Sequence, residues 1–284
     1  MQFKQLAEYI QKIEQTSSRL EITKNLADLF GALKPKELHN AIYLIQGNVS
    51  PKFNVVNFGM AEKMVIKAVA SASQTDIAEV TSEFKKIGDI GEVAEKIKHN
   101  QPSLTEKDVT VTEVFDRLLE IAKSNGEGSQ DKKIQLLAGL VNELDPLSVR
   151  YIVRIPLGVL RLGFSDMTIL DALSWMKTGD KSLRPSLQKA YQVRPDLGLI
   201  GSLLKEQDIK EVEKIEPAVF TPIIMMRAER LSSGEEIIEQ IGTCAIEPKF
   251  DGFRLQVHKK GKEVKLFTRG LEDATFMYPD IVAG

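Results

Sequence analysis

Glu247-Pro248-Lys249-Phe250-Asp251-Gly252-Phe253-Arg254 is a short run of apolar and charged residues that carries one lysine to the lip of an Asp-Gly turn and sets an arginine just beyond it. Residues 243 to 250 have the composition of a strand and Asp251-Gly252 that of a turn. From 254 to 258 the chain alternates polar Arg254, Gln256 and His258 with apolar Leu255 and Val257, the pattern of a half-buried strand. A second tight turn at Lys259-Lys260-Gly261-Lys262 leads into residues 263 to 268. The stretch therefore reads as an antiparallel meander that would gather Lys249, Arg254 and Arg269 around one pocket.

That reading makes Lys249 a candidate nucleophile. An amine attacks phosphorus only when neutral, yet a free lysine with a pKa of about 10.4 is uncharged in roughly one molecule in two thousand near neutral pH. Apolar cover and neighbouring cations favour the neutral amine, and about 4 kcal/mol of such preference brings it into a reactive range. Ala245, Ile246 and Phe250 are placed to supply the cover, and Arg254 and Arg269 the positive charge. Asp251 would oppose this if it faced the amine, so it is expected to turn away, into the turn or toward a metal.

The flanks extend the pattern. Glu247 to His258, followed by Leu266-Phe267-Thr268-Arg269-Gly270-Leu271-Glu272-Asp273-Ala274-Thr275 and Tyr278-Pro279-Asp280-Ile281, closely resembles the start of the adenylation domain of ATP-dependent DNA ligases. The resemblance implies that Lys249 takes AMP from ATP as a phosphoramidate and that Glu247 contacts the adenine. It places Arg254 and Arg269 on the ribose and phosphate side of the nucleotide, a task suited to a planar, permanently charged guanidinium. ATP and Mg2+ are the cofactors implied; NAD is disfavoured, and ADP or GTP stay open as alternative nucleotides. Two departures stand out. Ile224-Met225-Met226-Arg227 replaces the family's more usual Met-Leu-Ala run. The family also continues past the Tyr-Pro-Asp segment with further carboxylate and lysine motifs and an OB-fold, so this sequence is expected to be C-terminally truncated, with metal ligands beyond Gly284 and none assigned within it.

Composition is consistent with a folded protein of this kind. The chain has 284 residues, 43% hydrophobic and 27% charged, enough for roughly two domains with proper cores. No apolar run approaches a membrane span, the N-terminus opens as an amphipathic helix, and the expected location is the cytoplasm. The single cysteine, Cys244, permits no internal disulfide and reads as strand packing; three scattered histidines make no zinc site.

Up to about residue 215 the periodicity is helical. Helices are expected near 2–15, 18–32, 35–46, 59–72, 76–87, 91–99, 111–123, 130–143, 146–154, 166–176, 185–192, 196–205 and 208–214. Thr110 with Glu113 has capping-box spacing, Ser165 is placed to cap at Asp166, and Pro146 and Pro185 suit first turns. The fold class expected is multidomain α+β: an all-α DNA-binding domain over 1–216, then over 217–284 the beginning of an antiparallel-β-rich nucleotidyltransferase (adenylation) domain.

A net charge of −2 is unhelpful for binding duplex DNA, so any binding surface must be local. Between Arg150 and Arg194 lie eight cations (Arg150, Arg154, Arg161, Lys177, Lys181, Arg184, Lys189, Arg194) against Asp166, Asp171 and Asp180, a balance of +5 that favours phosphate. Arg161-Leu162-Gly163, just before the helix expected at 166, could present backbone amides to a phosphate; a solvated basic face spread over several helices fits the same residues. Tyr151 to Leu173, with Arg154, Leu160-Arg161-Leu162-Gly163 and Thr168-x-Leu170-x-Ala172-Leu173, resembles the helical DNA-binding domain of archaeal-type and eukaryotic replicative ligases. So do Thr16-Ser17-Ser18-Arg19-Leu20 and Gly88-Asp89-Ile90-Gly91-Glu92-Val93-Ala94. That likeness implies DNA contacts by Gly88, Gly91, Arg154, Arg161 and Gly163, read from backbone and duplex shape because a ligase acts at any sequence.

The function expected is ATP-dependent sealing of nicked double-stranded DNA through a lysyl-AMP intermediate in replication, repair and recombination. The expected partners are nicked DNA and a sliding clamp, with no membrane and a monomeric state. Two other classes remain open: a lysine nucleotidyltransferase acting on RNA, such as an RNA ligase or capping enzyme, and a non-catalytic helical DNA-binding or scaffold protein.

Overall fold

The computed structural model describes residues 1–54, 56–100, 106–160, 162–226 and 229–284. Thirteen helices are described up to Val212: α1 (Phe3–Glu14), α2 (Arg19–Ala32), α3 (Pro35–Ile45), α4 (Glu62–Ser73), α5 (Ile77–Ile87), α6 (Ile90–Asn100), α7 (Val111–Lys123), α8 (Ser129–Glu143), α9 (Pro146–Arg154), α10 (Asp166–Thr178), α11 (Arg184–Val193), α12 (Leu197–Glu206) and α13 (Ile209–Val212). Their ends are written in local chemistry. Thr110 and Glu113 form the expected capping box on α7, and Asp145 accepts from the amides of Leu147 and Ser148 at the start of α9, where Pro146 needs no partner. Ser165 precedes α10 as expected, but its hydroxyl reaches Thr168 Oγ1 at 3.4 Å and caps no amide.

The helices pack chiefly in pairs: α6 on α9, α3 on α12, α2 on α10 and α4 on α8. One continuous apolar core runs through them, from Phe3, Leu6 and Ile10 of α1 to Leu204 of α12 and Val212 of α13. Two pairings are close because a glycine sits at the contact. A Cβ on Gly91 of α6 would lie 2.6 Å from the Arg150 carbonyl of α9, and one on Gly198 of α12 would lie 2.9 Å from the Tyr43 ring of α3. Buried Lys98 and Lys133 and half-buried Lys205 close other gaps. Lys98 donates to the Asn142 carbonyl at 2.8 Å, Lys133 to that of Phe58 at 2.5 Å, and Lys205 to those of Phe30 and Gly31.

Beyond α13 the chain carries α14 (Gly234–Ile241), the strands β1 (Gln256–Lys260) and β2 (Glu263–Phe267), and α15 (Pro279–Ala283). The strands pair antiparallel around Gly261-Lys262, with His258 opposite Lys265 and Val257 opposite Leu266. Leu266, Phe267, Leu271 and Ala274 are buried here, outside the main helical core. The hairpin is the expected one, shifted two residues toward the C-terminus on its first strand. The strand expected at 243–250 does not form: no strand among the described residues lies beside it, and an extended segment without a neighbour has nowhere to place its amides and carbonyls. Helix α14 was not anticipated, although Ser233 caps it through the Glu236 amide at 3.1 Å and Ile237, Ile238 and Ile241 follow helical spacing.

Candidate functional site

Lys249 lies in an exposed irregular stretch between α14 and β1, and Glu247, Arg254 and Arg269 are exposed as well. Among the described residues Glu247, Lys249 and Arg269 make no hydrogen bond or ion pair, and Arg254 touches only the Met225 sulfur, 3.9 Å from its Nη1. The apolar cover expected around Lys249 is not in place: Ile246 is 92% exposed and Phe250 86%. Cys244 is likewise exposed and not packed in a strand. The physical reason is the missing strand. Without a ladder to either side, the run before the Asp-Gly turn cannot bury alternate side chains.

The donor set itself suits a nucleotide: one amine, two guanidinium groups for phosphate oxygens and one carboxylate for a base edge. It does not suit a metal. No group of three His, Cys, Asp or Glu side chains gathers among the described residues, so no residue is assigned to magnesium.

The helical part assembles a different constellation. Gly88 ends α5 in the left-handed conformation, φ +81°, with open space where a side chain would be. Asp89 then accepts the Glu92 amide at 2.9 Å and starts α6. Arg154 lies beneath this turn, only 5% exposed, its Nη1 2.6 Å from Glu14 of α1 and its Nη2 3.0 Å from Asp89. Gly91 leaves room for that guanidinium, since a Cβ there would meet Arg154 Nε at 2.6 Å. Burial tends to raise the Asp89 carboxyl, but the Arg154 hydrogen bond and the backbone amides outweigh it and hold it below the usual range. The structure thus brings Gly88, Gly91 and Arg154 together, with only Gly88 turned to open space. Gly163 stands apart before α10, φ +72° and also open, while Arg161 lies outside the described residues.

Among the described residues of this segment, five cations, Arg150, Arg154, Lys177, Lys181 and Arg184, are committed to ion pairs. Arg150 pairs with Glu95 at 2.6 Å, Lys181 with Asp171 at 2.9 Å, Arg184 with Asp171, and Lys177 reaches Asp208 at 4.0 Å. Four of the carboxylates involved, Glu14, Asp89, Glu95 and Asp208, come from outside the segment and offset most of its local charge. The first residue of α10 brings its own anion: Asp166 accepts from Gln46, Lys52 and Tyr191. Sequence reasoning found Arg154 but not its partners, which lie 65 and 140 positions away. Only the Asp89 cap, spaced three residues before Glu92, carried a local signal.

Comparison with known proteins gives the family. The model of the DNA ligase N terminus matches residues 2–174, and that of the ATP-dependent DNA ligase domain matches residues 225–284, which include Lys249. The chain belongs to the ATP-dependent DNA ligase family. A probable DNA ligase of Dictyoglomus turgidum is 46% identical over 282 residues, covering 99% of this chain and 48% of that protein. A DNA ligase of Sulfurisphaera tokodaii is 42% identical over 293 residues, covering 99% and 49%, and DNA ligase 2 of Thermofilum pendens is 41% identical, covering 98% and 48%. This ligase-family chain therefore spans about half the length of the curated relatives it matches.

Proposed function

We propose that the protein seals nicks in double-stranded DNA at the expense of ATP, with Lys249 as the residue that carries AMP. The observation that carries this reading is the position of Lys249 in its Lys-Phe-Asp-Gly-Phe-Arg run, inside the stretch that matches the ATP-dependent ligase domain. The deprotonated Lys249 amine bonds to the α-phosphorus as the bond to pyrophosphate breaks. AMP then passes to the 5′-phosphate at the nick, and the adjacent 3′-hydroxyl displaces it to close the strand. Glu247 meets the adenine, and Arg254 and Arg269 hold the ribose and phosphates. Magnesium would neutralise the triphosphate, from ligands not assigned to this chain.

The helical part, residues 1–216, is the proposed DNA-binding domain, and 217–284 the proposed start of the adenylation domain. Gly88, Gly163 and Arg161 are proposed on the DNA side, with Gly91 and Arg154 holding the first turn from below. Cytoplasmic location, a monomeric state and a sliding clamp as partner complete the proposal.

Intact-mass analysis of the protein at its full coding length, incubated with ATP and magnesium, tests the central step. One added AMP on the wild type and none on Lys249→Ala is expected; an equal adduct on both ends the proposal. Competition between nicked DNA and nicked RNA separates it from an RNA ligase, with sealing of the DNA expected to persist.

A further inference from the structure

Residues 217–224, which lead from the helices to the hairpin, form a short strap held at both ends. On the helical side the Ile224 amide donates to the Gln192 carbonyl of α11 at 2.8 Å, and Ile215 and Ile224 pack on the helical core. On the hairpin side two residues of β1 grip the strap. Gln256 accepts the Ile223 amide at 2.9 Å and donates to the Ile223 carbonyl at 2.7 Å, as a neighbouring strand would. His258 Nδ1 accepts the Phe220 amide at 3.0 Å. The two side chains are two residues apart on a strand and so share one face.

The strap is not in a relaxed conformation at this point. Phe220 has φ +68°, a left-handed backbone that a bulky residue adopts only where its surroundings impose it. Those surroundings are the His258 acceptor and Lys265, whose ammonium lies 5.3 Å from the centre of the Phe220 ring. Lys265 is the cross-strand partner of His258, and the His258 ring stands edge-on to Phe267 at 5.1 Å.

We propose that Gln256 and His258 are positioning residues that latch the strap to β1 and so fix the hairpin following Lys249 against α11 of the helical body. The functional meaning of the latch rests on the ligase reading, in which the lysine arm must be presented to DNA held by the helices; the latch itself does not.

The chemistry makes the latch sensitive to acid. Nδ1 must be unprotonated to accept, so the neutral ring carries its proton on Nε2. Burial holds the imidazole below its ordinary value of 6.5. The charged groups around it are Lys265 opposite, with Lys260 and Glu263 paired one step along the same face; the strap itself carries none. A folded-state value below the unfolded one means that the unlatched state takes the proton first. The His258 half of the latch is therefore at full strength above about pH 6.5 and weakens as pH falls below it, while the Gln256 half does not titrate.

Spin labels on Lys189→Cys in α11 and Lys262→Cys at the hairpin tip, in the 284-residue chain with Cys244→Ser, report the placement directly. The expected result is a narrow distance distribution that broadens in Gln256→Leu and in His258→Leu but stays narrow in His258→Asn, whose amide oxygen replaces Nδ1. Between about pH 7.5 and about pH 5.5 the parent broadens and His258→Asn does not. A distribution as narrow in the two leucine variants as in the parent, or a parent that ignores pH, overturns the latch. Loss of the AMP adduct bears only on Lys249 and leaves this measurement untouched.

Discussion

Arg154 is a cation whose charge is used inside the molecule. Between Glu14 and Asp89, with its ring-facing side 5.7 Å from the Tyr151 ring centre, it ties α1, α6 and α9 at one point. Glu14 and Asp89 are partly exposed and keep Tyr151 and the Glu92 amide as partners, so Arg154→Met, which loses the charged hydrogen bonds to both, is expected to destabilise the protein by about 2 kcal/mol in thermal or urea unfolding. The salt dependence of DNA binding distinguishes this from a phosphate contact. The slope of log affinity against log salt is expected to stay the same in Arg154→Met, whereas loss of a direct contact would lower it by about 1. At this scale the sequence announced residue types but not their company. A basic run reads as a surface when its carboxylates are dozens of positions away. Lys249 shows the converse: its motif is plain in the chain, but the burial expected around it depends on strands that no residue within the motif can supply.

The helices were the readable elements because their signals are local. Thr110 with Glu113, Asp145 before Pro146, and the 3.6-residue apolar stripes fix ends to within a few residues without knowledge of the partner helix. A strand at 243–250 is not decided by its own residues, because a strand is a relation between segments, and α14 is an eight-residue helix too short for its apolar period to stand out. Helix pairing adds a requirement that pattern alone does not show. Gly91→Ala would force α6 away from α9 or displace Arg154, at a cost of about 2 kcal/mol in unfolding free energy. Gly88→Ala is the control: it meets open space and costs about 1 kcal/mol, through its left-handed backbone alone. Equal losses in the two variants would argue against close packing at Gly91.

At the scale of the molecule, the described residues form a large helical core and a small apolar cluster beside a two-stranded sheet. An isolated hairpin is marginal in water, and the cluster of Leu266, Phe267, Leu271 and Ala274 is small. Residues 1–216 are therefore expected to unfold cooperatively on their own, at a temperature within a few degrees of the complete chain, while 217–284 alone shows no calorimetric transition. A low-temperature transition for 1–216 would mean that the helices lean on the strap and hairpin.

The ammonium groups of buried Lys98 and Lys133 and of half-buried Lys205 each meet a carbonyl far along the chain, 44, 75 and 175 residues away. They act as non-covalent staples on long loops. Replacing those three lysines by methionine would strip the carbonyls of their donors and open the staples together, loosening the scaffold while leaving every covalent bond of the backbone intact.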